Sequence, residues 1–79
     1  MSNYRTVVYV QSRSGYRPKG KRVTLSIDGI FSGGMTKPVY TDSDGRAIIP
    51  HASKGMATIY VGGQNRGRLR VPGETVVFI

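Results

Sequence analysis

The sequence contains no cysteine, a single histidine, and only four acidic residues against twelve Lys and Arg. Without cysteine there is neither a disulfide nor a thiolate zinc site. His51 alone does not make a histidine-based metal centre. No apolar run approaches the roughly 20 residues of a membrane-spanning helix. No apolar h-region of the roughly 7–15 residues a leader needs follows Met1-Ser2-Asn3-Tyr4-Arg5. A secretory leader is therefore not expected, and the expected location is the cytoplasm. Helical periodicity is missing too, since no window repeats apolar residues at i, i+3, i+4 and i+7 over helical length.

What is present is a chain of 79 residues with a net charge of +8. That length supports one domain, residues 1–79. A domain this small buries only about 60% of the surface of its unfolded chain. With no disulfide or metal staple, a second chain is the remaining device, so a homodimer is an expectation. The positive charge favours polyanions such as nucleic acid.

Eleven glycines and four prolines punctuate short β-branched and aromatic runs. This is an all-β pattern. Strands are expected over residues 4–10, 22–27, 38–41, 46–50, 56–61, 67–71 and 75–79. In the second, Val23, Leu25 and Ile27 alternate with Arg22, Thr24 and Ser26, which puts one set in the core and the other in water. The first is apolar on both faces, as suits a central strand or a partner contact. Asp42-Ser43-Asp44-Gly45 is a turn signal, because Asp and Gly tolerate the left-handed backbone of hairpin turns. It is expected to join residues 38–41 and 46–50 as a hairpin. Residues 28–35, with Phe31 inside, read as a loop. Core candidates are Val8, Val10, Val23, Leu25, Ile27, Val39, Ile49, Ile59, Val61, Leu69, Val71, Val76 and Phe78.

Pro18-Lys19-Gly20-Lys21-Arg22-Val23-Thr24-Leu25 resembles the Pro…Gly-Ala-x-Val-x-Leu entry of the carboxypeptidase regulatory-like, or transthyretin-like, β-sandwich domains. Tyr40-Thr41-Asp42-Ser43-Asp44-Gly45 is similar to their Thr-Asp-x-x-Gly hairpin. Gly55-Met56-Ala57-Thr58-Ile59-Tyr60-Val61 is similar to the Gly-x-Tyr-x-Leu-x-Val strand that follows. The match spans residues 18–61. Lys21 and Arg22 stand where a small residue is usual, and residues 29–36 are unusually Gly-rich. The resemblance implies a sandwich with a structural or binding role.

Catalysis needs a nucleophile, a base within hydrogen-bond reach and an orienting group. His51 is the only histidine, and Ser32 before Gly33-Gly34 lacks the nucleophile-elbow spacing. Asp42 and Asp44, with Asp28 and Glu74 elsewhere, fall short of the six to eight oxygens of a calcium site. No phosphate loop occurs. No enzyme activity, cofactor or metal is therefore expected.

Two basic clusters remain. Arg66, Arg68 and Arg70 alternate with Gly67, Leu69 and Val71, so a regular strand would line up three guanidiniums about 6–7 Å apart. Arg13, Arg17, Lys19, Lys21 and Arg22 form the second. Arginine forks suit phosphate, and Tyr4, Tyr9, Tyr16, Tyr40 and Tyr60 offer rings for bases. Arginine rows also guard strand edges.

The expected fold is an antiparallel β-sandwich of about seven strands, transthyretin-like or immunoglobulin-like. A small SH3-like or OB-like barrel is the alternative. The expected function is a non-catalytic interaction module for another protein or for itself, through a strand edge or an apolar face. The alternative is binding of nucleic acid or another polyanion through the two basic clusters.

Overall fold

The computed structural model describes residues 4–29 and 34–79. Phe31 and Ser32 lie outside the described residues. The described residues form eight strands and no helix. They are β1 (Tyr4–Gln11), β2 (Arg22–Ile27), β3 (Gly34–Met35), β4 (Val39–Tyr40), β5 (Arg46–His51), β6 (Gly55–Val61), β7 (Gln64–Val71) and β8 (Glu74–Phe78). One sheet has the order β5-β1-β8; the other has β3-β2-β6-β7, with β4 also pairing β2. The chain is a β-sandwich. Two features depart from the antiparallel, seven-strand expectation: the short strand β3 lies where a loop was expected, and β8 runs parallel to β1.

The alternation of β2 works as read. Val23, Leu25 and Ile27 are buried beside Ala57, Ile59 and Val61 of β6. Val8, Val10, Ala47, Ile49 and Val77 close the core from the other sheet. Val39 and Leu69 are partly buried against it. Burying one such branched side chain contributes about 1.5–3 kcal/mol. Strand β1 is central, between β5 and β8.

Two expectations are corrected. First, the 42–45 turn does not close a hairpin within one sheet. β4 pairs β2, and β5 pairs β1. The turn itself forms: the Asp42 amide donates to Arg46 O at 2.9 Å and the Gly45 amide to Asp42 O at 3.0 Å. The strands then part because Thr41 is held elsewhere. Its buried hydroxyl donates to Pro18 O at 2.7 Å and accepts from the Lys21 amide at 2.9 Å. The turn is a corner between sheets.

Second, Val76 and Phe78 are not core residues. They are 39% and 53% exposed, while Val77 is 4% exposed. Parallel pairing sets Val10 beside Val77 and Val8 beside Thr75. Side-by-side residues share a face. The inward faces of Val8 and Val10 therefore carry Thr75 and Val77 inward, and Val76 and Phe78 outward.

His51 is part of the frame. Its Nδ1 lies 2.6 Å from Ser53 O and its Nε2 lies 2.7 Å from Thr6 Oγ1. A carbonyl only accepts, so Nδ1 carries a proton. Tyr4 stacks on the ring at 5.9 Å between centroids.

Candidate interaction face

The outer face of the three-stranded sheet follows from its register. One row across it is Glu74, Val7 and Ile48; the next is Val76, Tyr9 and Arg46; Phe78 and Gln11 follow. Val76 and Phe78 leave an apolar stripe in water along β8, while Ile48, 43% exposed, stands apart on β5.

That stripe runs along a free edge. Exposed edges invite pairing, and proteins blunt them with charge, proline, bulges or shortness. Strand β7 carries Arg66, Arg68 and Arg70 and a register shift opposite Ile59 and Tyr60. Strand β5 carries Pro50. Strands β3 and β4 are two residues each. Strand β8, Glu74-Thr75-Val76-Val77-Phe78, has no Lys, Arg, Pro or bulge and pairs only with β1. Gly73 O accepts from Val7, and the Ile79 amide donates to Gln11 O. By alternation, the backbone groups of Glu74, Val76 and Phe78 point away from β1, into the open edge.

The predicted arginine row is interrupted. Gly67 pairs Ile59 and Asn65 pairs Tyr60, so Arg66 is the extra residue of a bulge. Its guanidinium donates to Gln64 Oε1 at 2.7 Å. Arg68 is ion-paired with Asp28 and donates to Thr58 Oγ1 at 3.0 Å. Arg70 lies opposite Met56. The bulge could have been suspected from Gly67, a glycine inside a strand, here at φ +138°.

The second cluster is exposed on the connection formed by residues 12–21: Arg13, Arg17, Lys19 and Lys21, with Arg22 opening β2. The Arg22 guanidinium lies beside Gly63 in the β6–β7 turn. This connection, the 42–45 corner and the β6–β7 turn thus share one end of the sandwich. Arg66, just past that turn, joins the same end. Arg68 and Arg70 lie progressively farther down the sheet.

At this end the sequence reading missed a groove of about 580 Å³, lined by Tyr9, Gly15, Tyr16, Arg17, Ser43, Asp44 and Arg46. Tyr9 points outward between the buried Val8 and Val10. Arg17 covers its ring at 4.8 Å and donates from Nε to Gln11 Oε1 at 2.9 Å. The opposite wall is the corner. Asp42 Oδ1 accepts from the amides of Asp44 at 2.8 Å and Arg46 at 3.0 Å, and Arg46 Nε meets Asp42 Oδ2 at 3.3 Å. Both tyrosines and Arg17 were visible as residue types. Their convergence with Arg46 was not, because it depends on where the corner lands.

Those amide hydrogen bonds, aided by Arg46, hold the Asp42 carboxyl below its ordinary value of 3.8. A lowered folded-state value means the stabilisation is present above the ordinary value and lost as pH falls through the folded one. Asp42→Asn keeps an acceptor and removes the charge. It should therefore be less stable than the parent near neutrality, and the gap should close in urea titrations taken below about pH 4.

Among the described residues no group of three His, Asp or Glu side chains gathers to hold a metal ion. Among the described residues no helix is long and apolar enough to cross a membrane. No known family model matches the chain, and no curated protein is detectably similar to it.

Proposed function

We propose that this chain is a non-catalytic interaction module that pairs with a second copy of itself through the open edge of β8. The observation that carries the reading is that β8, alone among the full-length edge strands, has no Lys, Arg, Pro or bulge, its one charge being Glu74 at the start of the strand. The resemblance to transthyretin-like sandwich domains and a cytoplasmic location belong to the same proposal.

The second copy is favoured by self-complementarity. In an antiparallel β8–β8 pair centred on Val76, Val76 faces Val76, and Glu74 faces Phe78 on each side. No like charges are opposed. Three outward-facing residues per copy exchange about six backbone hydrogen bonds. The two apolar stripes become neighbours on a continuous six-stranded sheet, and three strands from each copy supply it. The patch also carries no cation of its own, whereas most of the remaining surface of this +8 chain repels a copy. A contact of one five-residue edge is smaller than the roughly 1,200–2,000 Å² of a standard interface, so the dimer is weak.

Sedimentation velocity over roughly three decades of concentration, up to millimolar, should show a monomer–dimer shift. Val76→Lys places a charge on the exposed edge and should weaken association at least about tenfold with the circular dichroism unchanged. A parent chain that stays monomeric throughout overturns the reading, and so does a Val76→Lys variant that dimerises like the parent.

A further inference from the structure

We propose that the groove between residues 12–17 and the 42–46 corner binds single-stranded nucleic acid, with a base against Tyr16 and the backbone phosphates on Arg46 and on Arg17, which Tyr9 holds in place. This site adjoins β8, where Val76 pairs Tyr9, but does not depend on pairing at the β8 edge.

Three observations carry it. The first is an exposed ring at the groove, Tyr16, beside a second ring, Tyr9, that carries Arg17. Tyr16 is 68% exposed, and its presentation is fixed by a tight turn: the Ser12 amide donates to Tyr16 O at 2.7 Å and the Gly15 amide to Ser12 O at 2.9 Å. Tyr9 is already stacked by a guanidinium. Base–aromatic stacking is indifferent to sequence but requires bases free of a duplex.

The second is how the arginines are held. Arg17 is anchored through Nε by Gln11, and Arg46 through Nε by Asp42. A guanidinium fixed at Nε still offers donors on its terminal nitrogens. Such preorganised forks suit phosphate oxygens. Arg13, Lys19, Lys21 and Arg22, all exposed on the same connection or at the start of β2, add positive charge beyond the groove.

The third is Asp44. Its amide is used by Asp42, while its carboxylate lines the groove with no hydrogen bond or ion pair to the described residues. A carboxylate repels an acidic peptide or a plain polyanion. It suits a nucleobase, each of which presents a donor for it: a ring N–H in thymine, an exocyclic amine in adenine and cytosine, and both in guanine. The volume, about 580 Å³, is within the roughly 300–1,000 Å³ of small-ligand sites.

Fluorescence anisotropy with a labelled single-stranded DNA octamer, its duplex and a polyglutamate peptide of equal charge tests the proposal. The octamer should bind most tightly, with a log–log salt slope near −0.7 per phosphate engaged. Tyr16→Ala, a change at an exposed ring, should weaken octamer binding about tenfold and leave the salt slope unaltered. Arg17→Gln should reduce the slope. Val76→Lys adds a cation beside Tyr9 and should bind the octamer at least as tightly as the parent while it loses self-association, which separates this binding from pairing at the edge. Absence of octamer binding at low salt overturns the proposal. So does equal or tighter binding of polyglutamate, which would indicate a site for acidic proteins, or a Tyr16→Ala variant as tight as the parent.

Discussion

Leu25→Ala should destabilise the fold by about 3–4 kcal/mol, read as a lower urea midpoint with unchanged slope. Leu25 is fully buried at the centre of β2, opposite Ile59. Its loss removes the transfer free energy of the side chain and leaves a cavity that two facing sheets do not readily close. For a chain of 79 residues, total stability is on the order of 4–12 kcal/mol. At the lower end of that range the variant has a substantial unfolded fraction even without urea. Phe78→Ala is the informative contrast. A larger side chain is removed, but Phe78 is 53% exposed, so the cost should be below about 1 kcal/mol. If Phe78→Ala costs as much as Leu25→Ala, the facing of β8 described above is wrong.

Gly45→Ala should cost about 3 kcal/mol. The glycine has φ +71°, where an L side chain is strained. A Cβ there would lie 2.6 Å from Arg17 Cβ and 2.8 Å from Val10 O. Neither atom is the free end of a flexible side chain, so the corner or the 12–21 connection must move. Gly20→Ala separates the two causes. At φ +80° with nothing within 4 Å, it should lose only about 1 kcal/mol, the backbone part alone. Because Gly45 touches Arg17, its substitution should also spread the groove and weaken octamer binding. Gly20→Ala should leave that binding intact.

These two glycines show what is legible in the sequence. Asp42-Ser43-Asp44-Gly45 announces a turn by local chemistry alone, since Asp42 caps two amides and Gly45 supplies the left-handed backbone. Which strands the turn joins is not local. That is decided by Thr41, whose hydroxyl is committed to Pro18 and Lys21 some twenty residues earlier. Strand β2 was readable because its alternation is clean. Strand β8 was not, because four successive apolar residues, Val76 to Ile79, show no alternation and either face can be inward. Only pairing with β1 resolves it. The basic clusters were visible as composition, but the bulge at Arg66 broke one. The other acquired its aromatic floor and second arginine from Tyr9 and Arg46, brought alongside by the β1–β5 register.

The proposed self-pairing is tested most directly by amide hydrogen exchange followed residue by residue as concentration rises. The amides of Glu74, Val76 and Phe78 face the open edge, whereas those of Thr75 and Val77 face β1. Self-pairing predicts that the first three become protected as concentration rises, that the other two do not change, and that Val76→Lys abolishes the effect. Exchange of Val76 and Phe78 that is rapid and independent of concentration would contradict it.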